Sequence, residues 1–103
     1  MKKYKFTGER RYWRGILVHR IVRLSDGLVC GWLESERNLE HSGDCMIYDD
    51  AVAVGDSLVS EHASMLGSSS IWGDALLSGS STMSDYSSMS GSASLCDHAS
   101  LNG

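Results

Sequence analysis

The chain has 103 residues, 42% of them hydrophobic, and a formal net charge of −4. It contains no apolar run long enough to span a membrane and no stretch patterned like a secretory leader, so we expect no membrane association. At this length we expect one compact unit with a small core. The cysteines are three in number and lack metal-binding spacing, so we expect free thiols in a reducing, cytoplasmic compartment.

Charge divides the chain near residue 42. Residues 1–42 hold all nine Lys and Arg with five Asp and Glu, a balance of +4. Residues 43–103 hold eight acids and no Lys or Arg, a balance of −8. With the repeat described below, this division predicts an N-terminal β cap over 1–42 and a repeat region over 43–103. Such asymmetry is typical of proteins that bind a partner or themselves.

The cap contains three segments rich in β-branched and aromatic residues, at 4–8, 15–24 and 28–35. A Ser25-Asp26-Gly27 turn separates the last two and suits a short hairpin. We predict a small antiparallel β head that covers the first coil of the repeat, because an open coil end presents unpaired strand edges.

Basic and aromatic side chains are interleaved in the cap, in KKYKF and RRYWR. Such a pattern can hold phosphate groups and stack on bases. We favour the alternative, in which the rings pack the cap onto the first coil and the basic groups stay in water. Nucleic acid is therefore not an expected partner. The residues concerned are Lys2, Lys3, Lys5, Arg10, Arg11 and Arg14, with Tyr4, Phe6, Tyr12 and Trp13.

Ten consecutive hexapeptides begin at Gly43. Position three is always Cys, Ala or Ser, position five is always apolar, and position one is always Gly, Asp or Glu. Residues two apart share one face of a strand, whereas a period of six would scatter the apolar positions around an α-helix. The units at Gly55, Gly73 and Gly91 resemble one another most. We therefore predict a parallel β-helix with three hexapeptides per coil, about three coils and corners at position one.

Five motifs connect the cap with the repeat: Tyr4-Lys5-Phe6-Thr7-Gly8-Glu9, His19-Arg20-Ile21, Gly31-Trp32-Leu33-Glu34, Asn38-Leu39, and the junction over 43–51. Together they resemble the YdcK-like hexapeptide-repeat proteins of bacteria and bacteriophages. The resemblance covers nearly the whole chain and implies a left-handed β-helix and a phage or prophage origin. Proteins of this family are loosely labelled as transferases, so the resemblance implies no defined activity. The chain departs from the family in a shorter segment before Gly31 and in later units rich in Ser and Met.

Two histidines of the repeat are candidate catalytic residues, because hexapeptide acyltransferases use a His as general base. His62 and His98 both occupy position two of their unit. They would lie two coils, or ~10 Å, apart, which is too far to share a zinc ion. We interpret them as polar corner residues and predict no catalytic residue, cofactor or metal site. Acyl transfer remains an alternative.

Two surfaces of the repeat are candidate binding sites. Outward apolar residues in its first two coils predict an interface, filled either by the protein's own cap or by a second subunit. Outward acids offer a face that could imitate nucleic acid and inhibit a host protein that handles it. The interface residues are Tyr48, Val54, Leu58, Leu66, Trp72 and Leu76, and the acidic face comprises Asp44, Asp50, Asp56 and Asp74.

Together these features favour a non-catalytic β-helix scaffold that acts by binding. A homo-oligomer is the expected assembly, with a host protein as a further candidate partner. The inhibitory mimic and the acyltransferase are the alternatives.

Overall fold

The computed structural model describes residues 2–102, which are almost entirely β-strands and turns. In this part of the chain the only helix is one 3₁₀ turn, Glu36–Asn38, and no helix has the length and apolar character needed to cross a membrane. The strands are β1 (Tyr4–Trp13), β2 (Ile16–Arg23), β3 (Val29–Leu33), β4 (Met46–Ile47), β5 (Val52–Ala53), β6 (Leu58–Val59), β7 (Ser64–Met65), β8 (Ser70–Ile71), β9 (Leu76–Leu77), β10 (Thr82–Met83), β11 (Ser88–Met89), β12 (Ser94–Leu95) and β13 (Ser100–Leu101).

The short strands stack as three parallel sheets, as the hexapeptide period predicts. The sheets have the orders β3-β5-β8-β11, β6-β9-β12 and β4-β7-β10-β13. From β4 onward, each strand pairs with the strand 18 residues away, for example Leu58 with Leu76 and Met46 with Ser64. The predicted parallel β-helix and its 18-residue coil are therefore confirmed.

The stack has about four coils because residues before Gly43 add one to the predicted three. Trp32 and Leu33 of β3 pair in parallel with Val52 and Ala53 of β5. Leu39 forms a parallel bridge with Val59 on the second face. These residues lack the hexapeptide pattern, so only the stacking identifies them as a coil. The division after residue 42 stays a prediction.

The cap is an antiparallel sheet that continues one face of the β-helix. β1 pairs with β2 and β2 with β3, which gives a six-stranded sheet of order β1-β2-β3-β5-β8-β11. The predicted turn at 25–27 joins β2 to β3, with Gly27 N donating to Arg23 O at 2.8 Å. β1 extends beyond the predicted residue 8 to Trp13. Arg14 and Gly15 have φ values of 51° and 82°, as in the tight turns that match strand twist.

The core is formed by positions three and five of the hexapeptides. Ile47, Val59, Ile71, Leu77 and Met83 are fully buried, and so are the small residues between them. Where position three is Ser, its hydroxyl donates to the carbonyl three residues earlier, as Ser57 does to Val54 at 2.6 Å. A small polar residue is therefore acceptable inside the coil, because the hydroxyl has a partner.

Position one turns the chain at every corner in the left-handed region of φ. One corner uses Gly throughout, whereas the other two alternate Gly with an acid. Asp49 and Glu61 have φ values of 58° and 60°, and their carboxylates accept the N–H groups of Gly67 and Gly79 in the next coil, at 3.1 and 2.9 Å. These acids therefore bind successive coils together.

Candidate functional site

The residues that carry the resemblance hold the first coil, formed by residues before Gly43, against the coil that follows it. The Glu34 carboxylate accepts the N–H of Gly55 at 2.7 Å, and the fully buried Asn38 amide donates to the carbonyls of Gly55 and Ser57 at 3.0 and 2.8 Å. A Cβ at Gly31 would lie 2.7 Å from the Ala51 carbonyl oxygen. Gly31 and Glu34 of the Gly31-Trp32-Leu33-Glu34 motif, together with Asn38, therefore serve the packing and hydrogen bonding between coils.

Tyr4 fixes the start of β1 in the same way. Its side chain is fully buried, donates to Leu39 O at 2.6 Å and stacks on His41 with ring centroids 4.1 Å apart. His41 in turn contacts Glu36 through Nε2 at 2.9 Å and accepts the Lys3 N–H through Nδ1 at 3.2 Å. Burial raises the pKa of Tyr4, so the phenol stays a donor.

Two of the six predicted interface residues, Val54 and Trp72, lie under the cap. They belong to a second apolar cluster on the outside of the six-stranded sheet. Trp13, near the turn of the β1–β2 hairpin, contacts Trp72 with ring centroids 5.8 Å apart. The full cluster contains Val18, Trp32, Val52 and Val54, with Trp13, Ile16 and Trp72 against it.

Tyr48, a third predicted interface residue, is half-buried beneath Arg23 of the cap. The Arg23 guanidinium lies 5.8 Å from the ring centroid and donates to the Tyr48 hydroxyl at 3.2 Å. The same guanidinium binds Asp26 through two hydrogen bonds of 3.0 and 2.7 Å. Arg23 thus joins the β2–β3 turn to the first repeat.

Replacing Arg23 with Gln should raise the pKa of Asp26. The hydrogen bonds from Arg23, followed by that from Leu28 N–H, hold this pKa at about 2, below its ordinary 3.8. Because the folded pKa is depressed, the stabilisation is present above about pH 4 and is lost as pH falls towards 2. Carbon-13 NMR titration of the Asp26 carboxyl measures the shift, and an unchanged pKa in the variant would contradict this account.

The remaining predicted interface residues, Leu58, Leu66 and Leu76, stay partly exposed. Leu58 and Leu76 are register partners at position four, on the face formed by β6, β9 and β12. Leu76 is 36% exposed. Leu66 lies at the corner after β7, on another side of the coil. The six residues therefore do not form one patch.

The four acids of the predicted acidic face have different surroundings. Asp50 and Asp56 each lie 3.5 Å from a cap arginine, Arg20 and Arg37 respectively. Asp44 contacts His62, and the hydrogen bond from that imidazole lowers the pKa of the Asp44 carboxyl. Within residues 2–102 Asp74 is exposed and has no ion pair. Arginines of the cap thus neutralise part of the negative charge of this acidic face.

His62 and His98 lie in one column at position two, with Asp44 and Ser80. The order Asp44, His62, Ser80 resembles a hydrolase triad, in which Asp orients His and His activates Ser. His62 Nδ1 contacts Asp44 Oδ1 at 2.5 Å. In the part of the chain described, no hydrogen bond joins His62 to Ser80, and all three side chains are exposed. Over the same residues, no three His, Cys, Asp or Glu side chains are placed to hold a metal ion.

A set of arginine–tryptophan contacts on the outer face of the cap was not predicted as a unit. Arg11 and Arg20 lie over the Trp32 ring, at 4.2 and 4.9 Å from its centroid. Arg14 lies 4.9 and 5.3 Å from the centroids of Trp13 and Trp72. The RRYWR motif was the sequence signal, but its contact with Trp72 depends on the fold.

The fold and these contacts define a hexapeptide-repeat parallel β-helix protein. No family model matches the chain. It is similar to the uncharacterized acetyltransferase YdcK of Escherichia coli strain K12, with 31% identity over 75 aligned residues. The match covers 58% of this chain and 23% of that protein, so the chain corresponds to about a quarter of its relative. The resemblance to YdcK-like hexapeptide-repeat proteins is therefore confirmed, over 58% of the chain and not over nearly the whole of it as the motifs suggested.

Proposed function

We propose that the chain is a non-catalytic β-helix scaffold that acts by binding and associates with copies of itself. Its polar repeat residues support a structural role, because the acids of position one and the serines of position three bond to neighbouring backbone. A cytoplasmic location is part of the proposal and agrees with its three free cysteines. A phage or prophage origin rests on the sequence resemblance.

One observation carries the proposal: the pair Leu58 and Leu76 faces outward without packing under the cap. Position four is Ser or Thr in most other units, including Ser64, Thr82 and Ser94. Neither leucine belongs to the apolar clusters of the protein. Apolar side chains paired on a flat sheet face are typical of surfaces that pack against a second subunit.

Replacing Leu58 and Leu76 together with Ser should convert the assembly to monomer. Ser already occupies position four elsewhere, so the β-helix should keep its melting temperature. Sedimentation equilibrium over a range of protein concentrations measures the mass. A wild-type chain that stays monomeric at every concentration would contradict self-association.

Tyr86→Ser provides a matched control, because Tyr86 is an exposed apolar residue away from this face, at 80% exposure. We expect this variant to associate as the wild type does. Equal loss of association in both variants would show that general hydrophobicity, and not the leucine pair, drives assembly.

Acyl transfer is a second candidate function, favoured by the name of the relative and by the Asp44–His62 contact. An imidazole oriented by a carboxylate can serve as a general base. Turnover of acetyl-CoA by the wild type, lost in His62→Ala, would establish this function in place of the scaffold. The inhibitory mimic is less favoured, because Asp50 and Asp56 are paired with arginines of the same chain.

A further inference from the structure

Three arginines at the end of the β1–β2 hairpin have no acidic partner among the residues that the structure describes. Arg20, Arg23 and Arg37 each lie within 3.5 Å of an aspartate oxygen. Within residues 2–102, no carboxylate oxygen lies within 4.0 Å, the distance limit of an ion pair, of Arg10, Arg11 or Arg14. All three arginines are exposed. We call residues 10–16 the hairpin tip. It is a local concentration of positive charge in a chain with a net charge of −4.

Aromatic rings surround these arginines. A cleft of about 190 Å³ is lined by Trp13, Arg14, Ile16 and Trp72. The two indole rings are inclined at 48° and are therefore not stacked on each other. Both are only partly buried, so ring surface remains accessible beside the Arg14 guanidinium.

A second cleft, of about 290 Å³, lies against the hairpin tip and is lined by Arg10, Arg11, Tyr12 and Leu17. Tyr12 is 73% exposed, so packing of the cap does not explain it. Packing accounts for Tyr4, Phe6 and Trp13, as expected from the sequence, and Arg11 and Arg14 contact tryptophan rings, but Tyr12 belongs to neither apolar cluster.

The same region also contains buried donors without acceptors. In the described chain, Trp32 Nε1 and Arg20 Nε have no hydrogen-bond partner, although both belong to the arginine–tryptophan contacts. Unpaired buried donors are uncommon in folded proteins. Both atoms are buried, so the donors that an anionic ligand can reach are the exposed guanidinium groups of Arg10, Arg11 and Arg14.

We propose that the hairpin tip binds a ligand in which a flat heterocyclic ring adjoins phosphate, the chemistry of a nucleotide. The ring stacks on Tyr12, in the cleft that Arg10 and Arg11 also line, while Arg10, Arg11 and Arg14 bind phosphate oxygens through their planar donors. The acidic repeat repels polyanions and confines such binding to the cap. The source of the ligand is either a free nucleotide or single-stranded nucleic acid. This site is independent of the leucine pair proposed for self-association.

Fluorescence anisotropy with a labelled oligothymidylate tests the site, with ATP as the second probe. We expect binding at about 50 mM salt that weakens clearly by about 200 mM, because phosphate contacts release counterions. Tight binding of the oligonucleotide alone identifies single strands, and equal competition by ATP identifies the nucleotide. Absence of binding by both probes at the lower salt would overturn the proposal.

Tyr12→Ser should weaken binding about tenfold, the loss of one stacked base. Arg14→Asn should weaken binding and reduce its salt dependence, and Asn-Gly suits the tight turn so that the hairpin is retained. Melting curves verify folding of both variants. The matched controls, Tyr86→Ser and Arg37→Gln, should bind within about twofold of the wild type. Equal binding by all four variants, or equal loss in all four, would overturn the assignment to the hairpin tip.

Discussion

Gly79→Ala is expected to destabilise the protein by about 2–5 kcal/mol, the sum of a conformational cost and an overpacking cost. Gly79 has a φ of 66°, in the left-handed region that costs other residues about 1–2 kcal/mol. A Cβ there would also lie 2.6 Å from the backbone nitrogen of Asp97 in the next coil, and 2.8 Å from its oxygen. Backbone atoms cannot rotate away, so the coils must separate. Urea denaturation measures the change in the free energy of unfolding.

Gly91→Ala separates the two costs. Gly91 occupies the same repeat position with a φ of 65°, but its Cβ would meet no atom of residues 2–102 within 4 Å. We therefore expect only the conformational cost of about 1–2 kcal/mol. Equal destabilisation by the two substitutions would show that contact between coil backbones does not constrain this corner.

Leu77→Ala should cost about 2–5 kcal/mol, as is usual when a buried leucine is truncated. Leu77 is fully buried at position five of its hexapeptide in the third coil, between its register partners Val59 and Leu95 in the neighbouring coils. For a chain of this size such a loss is a large part of the total stability. Thermal and urea unfolding of the variant measure it.

Leu101→Ala is the matched control, since Leu101 has the same residue type and repeat position but remains partly exposed. Its strand β13 has a neighbour on one side only in the described chain. We expect a loss below about 1 kcal/mol, because little apolar surface leaves water there. Equal losses at both positions would contradict the burial gradient along the stack.

The β-helix could be predicted from the sequence because the pattern that specifies each strand and corner lies within six consecutive residues. A period of two within strands and of six between corners places residues such as Ser57 and Val59 inside the coil wherever the chain folds as a β-helix. The first coil could not be predicted in this way. Val29–Leu33 has the pattern of any hairpin strand, and its parallel pairing with β5 depends on contacts distant in sequence.

The candidate surfaces were only partly predictable for the same reason. Val54, Trp72 and Leu76 are all outward apolar residues in the sequence, and only the path of the hairpin distinguishes those it covers from those it leaves exposed. The RRYWR segment indicated either packing or binding. The fold assigns Trp13 to packing and leaves Tyr12 exposed, because neighbouring strand residues point to opposite faces.

Disulfide formation between engineered cysteines tests most directly the claim that residues 18 apart form columns. In a Cys96→Ser background, Ser64→Cys with Thr82→Cys places cysteines at register partners in adjacent parallel strands. Their Cα atoms lie about 4.8 Å apart, within the range that a disulfide spans. Ser64→Cys with Ser88→Cys places them on different sheets. Mild oxidation should give an intramolecular disulfide in the first pair and none in the second. A disulfide that forms equally in both pairs, or only in the second, would contradict the coil register.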